Sequence, residues 1–175
     1  MTVKTERTGI RLITGDDRKQ LREIWEDLNR SEYARYDRPH PADDAGARER
    51  TARWAAANAS GTDHMFFAIC LGDTVIGYCA FNKRDAGYEI GYGFRTEYRG
   101  KGYAKESISA LLCHMRETGA QRFTAGTALG NVPSVSLLNS LGFRQTAAEK
   151  VSFYKDTEGN DVIFDGGVFE LTFAP

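Results

Sequence analysis

Glu89-Ile90-Gly91-Tyr92-Gly93-Phe94-Arg95-Thr96-Glu97-Tyr98-Arg99-Gly100-Lys101-Gly102-Tyr103-Ala104 is the stretch on which the reading of this chain turns. Residues 88–95 read as a strand, and a glycine-bearing turn follows. Ala104, Ile108, Leu111, Leu112 and Met115 then share one stripe of a helix that runs to about Thr118 and stops at Gly119. A strand feeding a helix in this way leaves consecutive backbone N–H groups unpaired at the helix N-terminus, where the dipole also favours an anion. Gly100 and Gly102 let phosphate oxygens approach the backbone closely. Arg95, Arg99, Lys101 and Lys105 stand against the single acid Glu97. A phosphate-bearing ligand is the expected occupant. The loop is not of the GxxxxGK type, and Lys105 stands where GxGxxG requires its third glycine. Taken alone, a helix start that is merely rich in Gly and Lys remains the competing reading.

Upstream, Ile10–Thr14 reads as a short strand. Gly15-Asp16-Asp17 then offers an N-cap for a helix to Asn29 with Leu21, Ile24, Trp25 and Leu28 on one face. Ser31–Ala45 reads as a loop and 43–59 as an alanine-rich helix. Phe66–Leu71 and Val75–Phe81 form a hairpin about Gly72-Asp73. Downstream, Arg122–Thr127 is a strand, a helix opens at Asn131 and closes at Gly142, and strands fit 143–155 and 162–173. The expected fold class is therefore α/β, a mixed α+β arrangement. One domain, 1–175, is built on a mixed, mostly antiparallel sheet of six to seven strands with about four helices on its faces.

Composition narrows the function. With 23 basic and 24 acidic residues the formal net charge is −1, which argues against a broad nucleic-acid-binding or membrane-binding face. No run approaches the ~20 apolar residues of a membrane span, and the N-terminus lacks the apolar core of a signal peptide. A soluble, cytoplasmic protein is expected. Cys70, Cys79 and Cys113 lie in apolar runs and read as reduced, buried thiols; His40, His64 and His114 are isolated, so no metal is expected. Glycine is over-represented at 18 of 175 residues, against a norm of ~7%, and five glycines crowd between 87 and 102.

Arg99-Gly100-Lys101-Gly102-Tyr103-Ala104 matches the coenzyme A signature R/Q-x-x-G-x-G/A of the GNAT acetyltransferase superfamily. Some thirty residues on, Asn131-Val132-Pro133-Ser134, Leu137, Leu138 and Leu141-Gly142-Phe143 resemble that family's second motif. The element order resembles the family fold along nearly the whole chain. Glu89-Ile90-Gly91-Tyr92 looks most like the ribosomal-protein-alanine (Rim-type) branch.

The resemblance implies acetyl-CoA as cosubstrate, a sheet splayed after Phe94 to admit the pantetheine arm, and direct attack of an amine on the acetyl thioester. Backbone groups of Tyr92 and Phe94 hold the arm as an added strand does, and the amides of Arg99, Gly100, Lys101, Gly102, Tyr103 and Ala104 cradle the pyrophosphate. Asn131 and Ser134 contact the arm or position the acetyl end, and Asn139 lies near the adenine side. Glu89 is the expected base, acting directly or through a water; an ordinary strand carboxylate paired with an arginine is its plain rival, as helix capping is for Asn131. Neutralising a lysine-type amine at pH 7 costs about 4.6 kcal/mol and an α-amine only about 1.4, so a base matters less for an N-terminal substrate. Leu138 stands where many relatives carry the tyrosine that protonates the leaving thiolate, which leaves the general acid unassigned.

Trp25, Tyr33 and Tyr36 are expected to shape the acceptor pocket. A protein N-terminal α-amine is the expected acceptor; the alternatives are a small amine (polyamine, amino acid or aminoglycoside) and a silent coenzyme A-binding sensor. A homodimer is compatible with the resemblance.

Overall fold

The computed structural model describes residues 2–61 and 63–174. Its strands are β1 (Thr2–Lys4), β2 (Gly9–Leu12), β3 (Met65–Leu71), β4 (Thr74–Arg84), β5 (Gly87–Phe94), β6 (Arg122–Ala128), β7 (Arg144–Lys155) and β8 (Asp161–Thr172). The helices are α1 (Arg18–Arg30), α2 (Asp44–Ser60), α3 (Tyr103–Glu117) and α4 (Val132–Ser140). They surround one eight-stranded sheet of order β1-β2-β3-β4-β5-β6-β8-β7, antiparallel throughout except for β5 beside β6.

The expected fold class holds, with one strand more than anticipated. Thr2–Lys4 pairs with Gly9–Arg11 at the sheet edge; three largely polar residues carry no alternation that a sequence pattern could register. The central strands β3 and β4 are near-continuous apolar runs because both their faces are covered. Gly72, at φ +59°, makes the turn between them. β7 closes the opposite edge, and its first seven residues are exposed.

Side-chain alternation divides the core in two. Trp25 and Leu21 of α1 and Trp54 of α2 pack on Phe66, Ala68, Tyr78 and Ala80. Ile108, Leu111 and Met115 of α3 and Leu138 of α4 pack on Phe67, Phe81, Ile90, Phe94 and Phe123. Of the cysteines, Cys70 and Cys79 are buried and burial pushes both thiols up. Cys113, expected inside, is exposed: it falls off the inward stripe of α3.

Asp17 fixes the entry to α1. Its carboxylate accepts from Arg11 Nη1 and Nη2 at 2.8 and 2.6 Å and from the Thr14 amide at 2.8 Å. Burial disfavours the charge, but the guanidinium and the amide more than offset it, and Asp17 titrates below the usual carboxylate range. A depressed folded-state pKa adds stability that is present above the unfolded value and lost as pH falls through the folded one. Asp17→Asn should therefore cost roughly 1–3 kcal/mol at pH 7 and flatten the acid limb of a Tm-against-pH curve. An acid limb identical to that of the wild type would disprove the assignment.

Candidate active site

β5 pairs with β4 over its whole length, from Gly87↔Arg84 to Phe94↔Gly77. With β6 it pairs at Tyr88↔Phe123 and Glu89↔Thr124 only, while β6 pairs with β8 as far as Ala128. The two strands thus part after Glu89, and the edge of β5 from Ile90 to Phe94 faces a cavity of about 750 Å³. That edge offers N–H and C=O groups at the spacing an extended amide-bearing chain would match.

At the mouth of this wedge the chain passes through a short 3-10 turn, Thr96–Tyr98, into Gly100 at φ +71° and Gly102 at φ +84°. Gly102 is the N-cap of α3, and no side chain caps the first turn. Its amides are left for a ligand, with Arg99, Gly100, Gly102, Tyr103, Ala104 and Lys105 all lining the cavity. Arg7 braces the turn from outside. It donates to the Lys101 carbonyl at 2.9 Å and to Glu106 at 2.7 Å, and it lies over the Tyr103 ring at 4.6 Å. Thr5 and Arg7 hold Glu106 below the usual carboxylate range. Nothing in the sequence singles out Arg7, which is about a hundred residues from the groups it binds.

Two of the four expected basic groups stand elsewhere. Arg95 turns away from the cradle to donate to Glu23 of α1 at 2.7 Å, with its side chain 17% exposed. Lys101 points outward over Tyr98 and does not line the cavity. Asn139 is exposed near the end of α4 and is likewise outside it.

Asn131 caps α4, accepting from the Ser134 amide at 3.4 Å, and both residues face the cavity. The Tyr92 and Ser134 hydroxyls lie 2.9 Å apart, and burial pushes the Tyr92 phenol up to about 12. Further along α4, Leu137 also lines the cavity, whereas Leu138 is wholly inside the core. Across β5, Glu89 lines the cavity with its side chain 42% exposed. Its Oε2 accepts from Arg84 Nε at 2.9 Å and Nη2 at 2.5 Å. Oε1 has no protein hydrogen bond among the described residues and is open to a water or an amine.

Part of the cavity is walled by the 31–40 segment, which brings Tyr33, Tyr36, Asp37, Arg38 and His40 to it. Asn29 clasps the segment through the His40 amide and carbonyl at 2.8 and 2.9 Å. Tyr36 meets Phe164 of β8 edge-on at 5.3 Å and packs so closely on Gly130 that a Cβ there would lie 2.6 Å from the ring. Trp25 corrects the expectation: it is fully buried, edge-on to Trp54 at 5.5 Å, because it shares the apolar stripe of α1 with Leu21 and Ile24. Phe153 of β7 and His40 line the cavity without having been anticipated. Among the described residues no three His, Cys, Asp or Glu side chains gather as metal ligands do, and no helix is long and apolar enough to cross a membrane.

Residues 7–144 match the model of the acetyltransferase (GNAT) domain. The chain is 31% identical over 150 residues to an uncharacterized N-acetyltransferase, p20, of Bacillus licheniformis, covering 82% of this chain and 83% of the relative. Among solved structures it resembles the Salmonella typhimurium acetyltransferase that modifies the N-terminal serine of the 50S subunit protein L7/L12. That match has TM-score 0.85 and 16% identity, covering 99% of this chain and all of the other. It also resembles RimL, the ribosomal L7/L12 alpha-N-protein acetyltransferase, solved in complex with coenzyme A. There the TM-score is 0.82 and the identity 16%, over 98% of both chains.

Proposed function

Since the chain belongs to the GNAT acetyltransferase family and is thus an acetyl-CoA-dependent N-acetyltransferase, we propose that its acceptor is the N-terminal α-amine of a protein. The observation that carries this reading is one continuous cavity. It joins an uncapped helix N-terminus, an unpaired strand edge and, across β5, a carboxylate facing the tyrosine-lined 31–40 segment.

Acetyl-CoA supplies the thioester whose acetyl group is transferred. The amides from Arg99 to Ala104 bind a pyrophosphate, and the edge of β5 about Tyr92 and Phe94 holds an extended arm. The residues present fit such a ligand because the first turn of α3 has no side-chain cap and the glycines hold φ values that keep its amides aimed outward. Glu89 takes the proton of the incoming amine on Oε1, directly or through a water, while Arg84 fixes the carboxylate through Oε2. On the α4 side, the Tyr92–Ser134 hydroxyl pair is placed to return a proton to a departing thiolate. Burial keeps the phenol protonated, and the Ser134 hydroxyl beside it completes the pair. Asn131 holds Ser134 in position through the cap.

An α-amine needs only about 1.4 kcal/mol of neutralisation at pH 7 against about 4.6 for a lysine. A half-exposed carboxylate meets the smaller demand. The structural likeness to enzymes that act on ribosomal-protein N-termini supports the same choice. A thiol-release assay with acetyl-CoA over N-terminal peptides, polyamines, amino acids and aminoglycosides tests it, peptide turnover being the expected result. Glu89→Gln should lower kcat/KM at neutral pH by roughly tenfold, the low end of general-base effects, and move the pH profile upward. An unchanged profile removes Glu89 from the mechanism.

A further inference from the structure

A second cavity, of about 470 Å³, opens beside the first and shares Asp37, His40, Gly91 and Tyr92 with it. Its base is the α1/α2 face of β4, with Tyr78, Ala80 and Asn82; its wall is α2, which contributes Arg50 and Arg53. The Arg50 guanidinium lies 4.8 Å from the centroids of both Trp25 and Trp54, which meet edge-on. Its Nη1 lies 3.2 Å from His40 Nδ1. A guanidinium has no acceptor, so Nδ1 accepts and the imidazole proton sits on Nε2, 3.6 Å from Asp37 Oδ2. Burial outweighs Asp37 and lowers the His40 pKa, which keeps the ring neutral at pH 7.

Arg50 lacks what five other arginines have. Arg7, Arg11, Arg84, Arg95 and Arg122 each meet a carboxylate at 2.5–2.7 Å. Among the described residues no carboxylate forms an ion pair with Arg50 or with Arg53. Burial disfavours the Arg50 charge and lowers its pKa; an anion in the cavity would offset that cost. The two indoles, edge-on to each other, flank the guanidinium from one side, and Arg50 lines the cavity with a planar fork of donors of the kind that receives a carboxylate side by side. Asp37, the only acid among the described residues lining this cavity, lies on the boundary shared with the first.

We propose that the second cavity binds a carboxylate carried by the acceptor, so that the preferred substrate is an α-amine followed closely by an acidic side chain. This rests on the N-terminal acceptor reading and adds a specificity site to it. The decisive measurement is kcat/KM for paired peptides beginning Ala-Glu and Ala-Gln, with free glutamate as a third acceptor. The wild type should favour the acidic peptide by about tenfold, the effect of roughly 1.4 kcal/mol from one charge-assisted contact. Arg50→Gln should bring the ratio near one, and Arg53→Gln, on the exposed side of α2, should reduce it. The second variant carries the test if the first does not fold. A wild-type ratio near one, or a ratio unchanged in the folded variants, overturns the proposal. Acetylation of free glutamate with the same Arg50 dependence assigns the carboxylate to a small amino acid; preference confined to peptides assigns it to a side chain. If no amine is acetylated, the acceptor reading fails on its own, and indole fluorescence still tests the anion site. N-acetylglutamate should then perturb Trp25 and Trp54 saturably in the wild type and not in Arg50→Gln, and no perturbation in the wild type overturns the proposal.

Discussion

Gly102→Val is expected to raise the KM for acetyl-CoA about a hundredfold, with a far smaller change in kcat. Gly102 sits at φ +84° as the N-cap of α3. A β-branched residue held in the left-handed region costs on the order of 1–3 kcal/mol. The added Cβ would also lie 3.2 Å from Arg7 Nη2, the guanidinium that braces the turn. Relief of that strain rotates the peptide planes, and the amides no longer converge on one anion. Loss of two charge-assisted hydrogen bonds at about 1.5 kcal/mol each amounts to roughly a hundredfold in affinity. Initial rates against acetyl-CoA concentration measure the effect, and circular dichroism separates it from unfolding. A folded variant with a wild-type KM would show that the pyrophosphate is not held at this turn.

Gly91→Leu should have the opposite signature: acetyl transfer reduced by more than about a hundredfold, with coenzyme binding largely retained. Gly91 lies on β5 with no atom within 4 Å of where its Cβ would stand, and it borders both cavities. Nothing in its backbone demands glycine. A leucine there fits the strand and projects into the cavity, where the proposed mechanism brings the amine to the thioester. Two residues on, at Gly93, a Cβ would strike Leu28 and the Tyr78 ring, so that position reports on packing and Gly91 on access. Coenzyme affinity by calorimetry together with the thiol-release rate separates the two steps. Equal losses in both would place Gly91 on the coenzyme path instead.

The centre of the site was legible because its signals are local. The apolar run of β5, the glycines of the turn, the stripe of α3 and the capping motif at Asn131 each span fewer than about fifteen residues. What escaped depends on where a side chain points. Arg95 belongs to the basic cluster in sequence, yet its guanidinium completes a pair with Glu23 some seventy residues away. Trp25 was legible as part of an apolar stripe, and that stripe, not its aromatic chemistry, decides that it is buried. Leu137 and Leu138 differ by about 100° around α4, enough to put one in the wedge and the other in the core. The brace from Arg7 comes from the turn between β1 and β2, and no local pattern marks it.

β5 has a further consequence through simple parity. Its even-numbered side chains, Ile90, Tyr92 and Phe94, face α3 and α4, and its odd positions, Glu89, Gly91 and Gly93, face α1 and α2. A slip of one residue against β4 would exchange the two sets. Glu89 would enter an apolar core, and two aromatic rings would fill the path of the amine. The same miscount that would disable the proposed chemistry is heavily penalised by burial, so the folding reaction proofreads β5 before any substrate arrives.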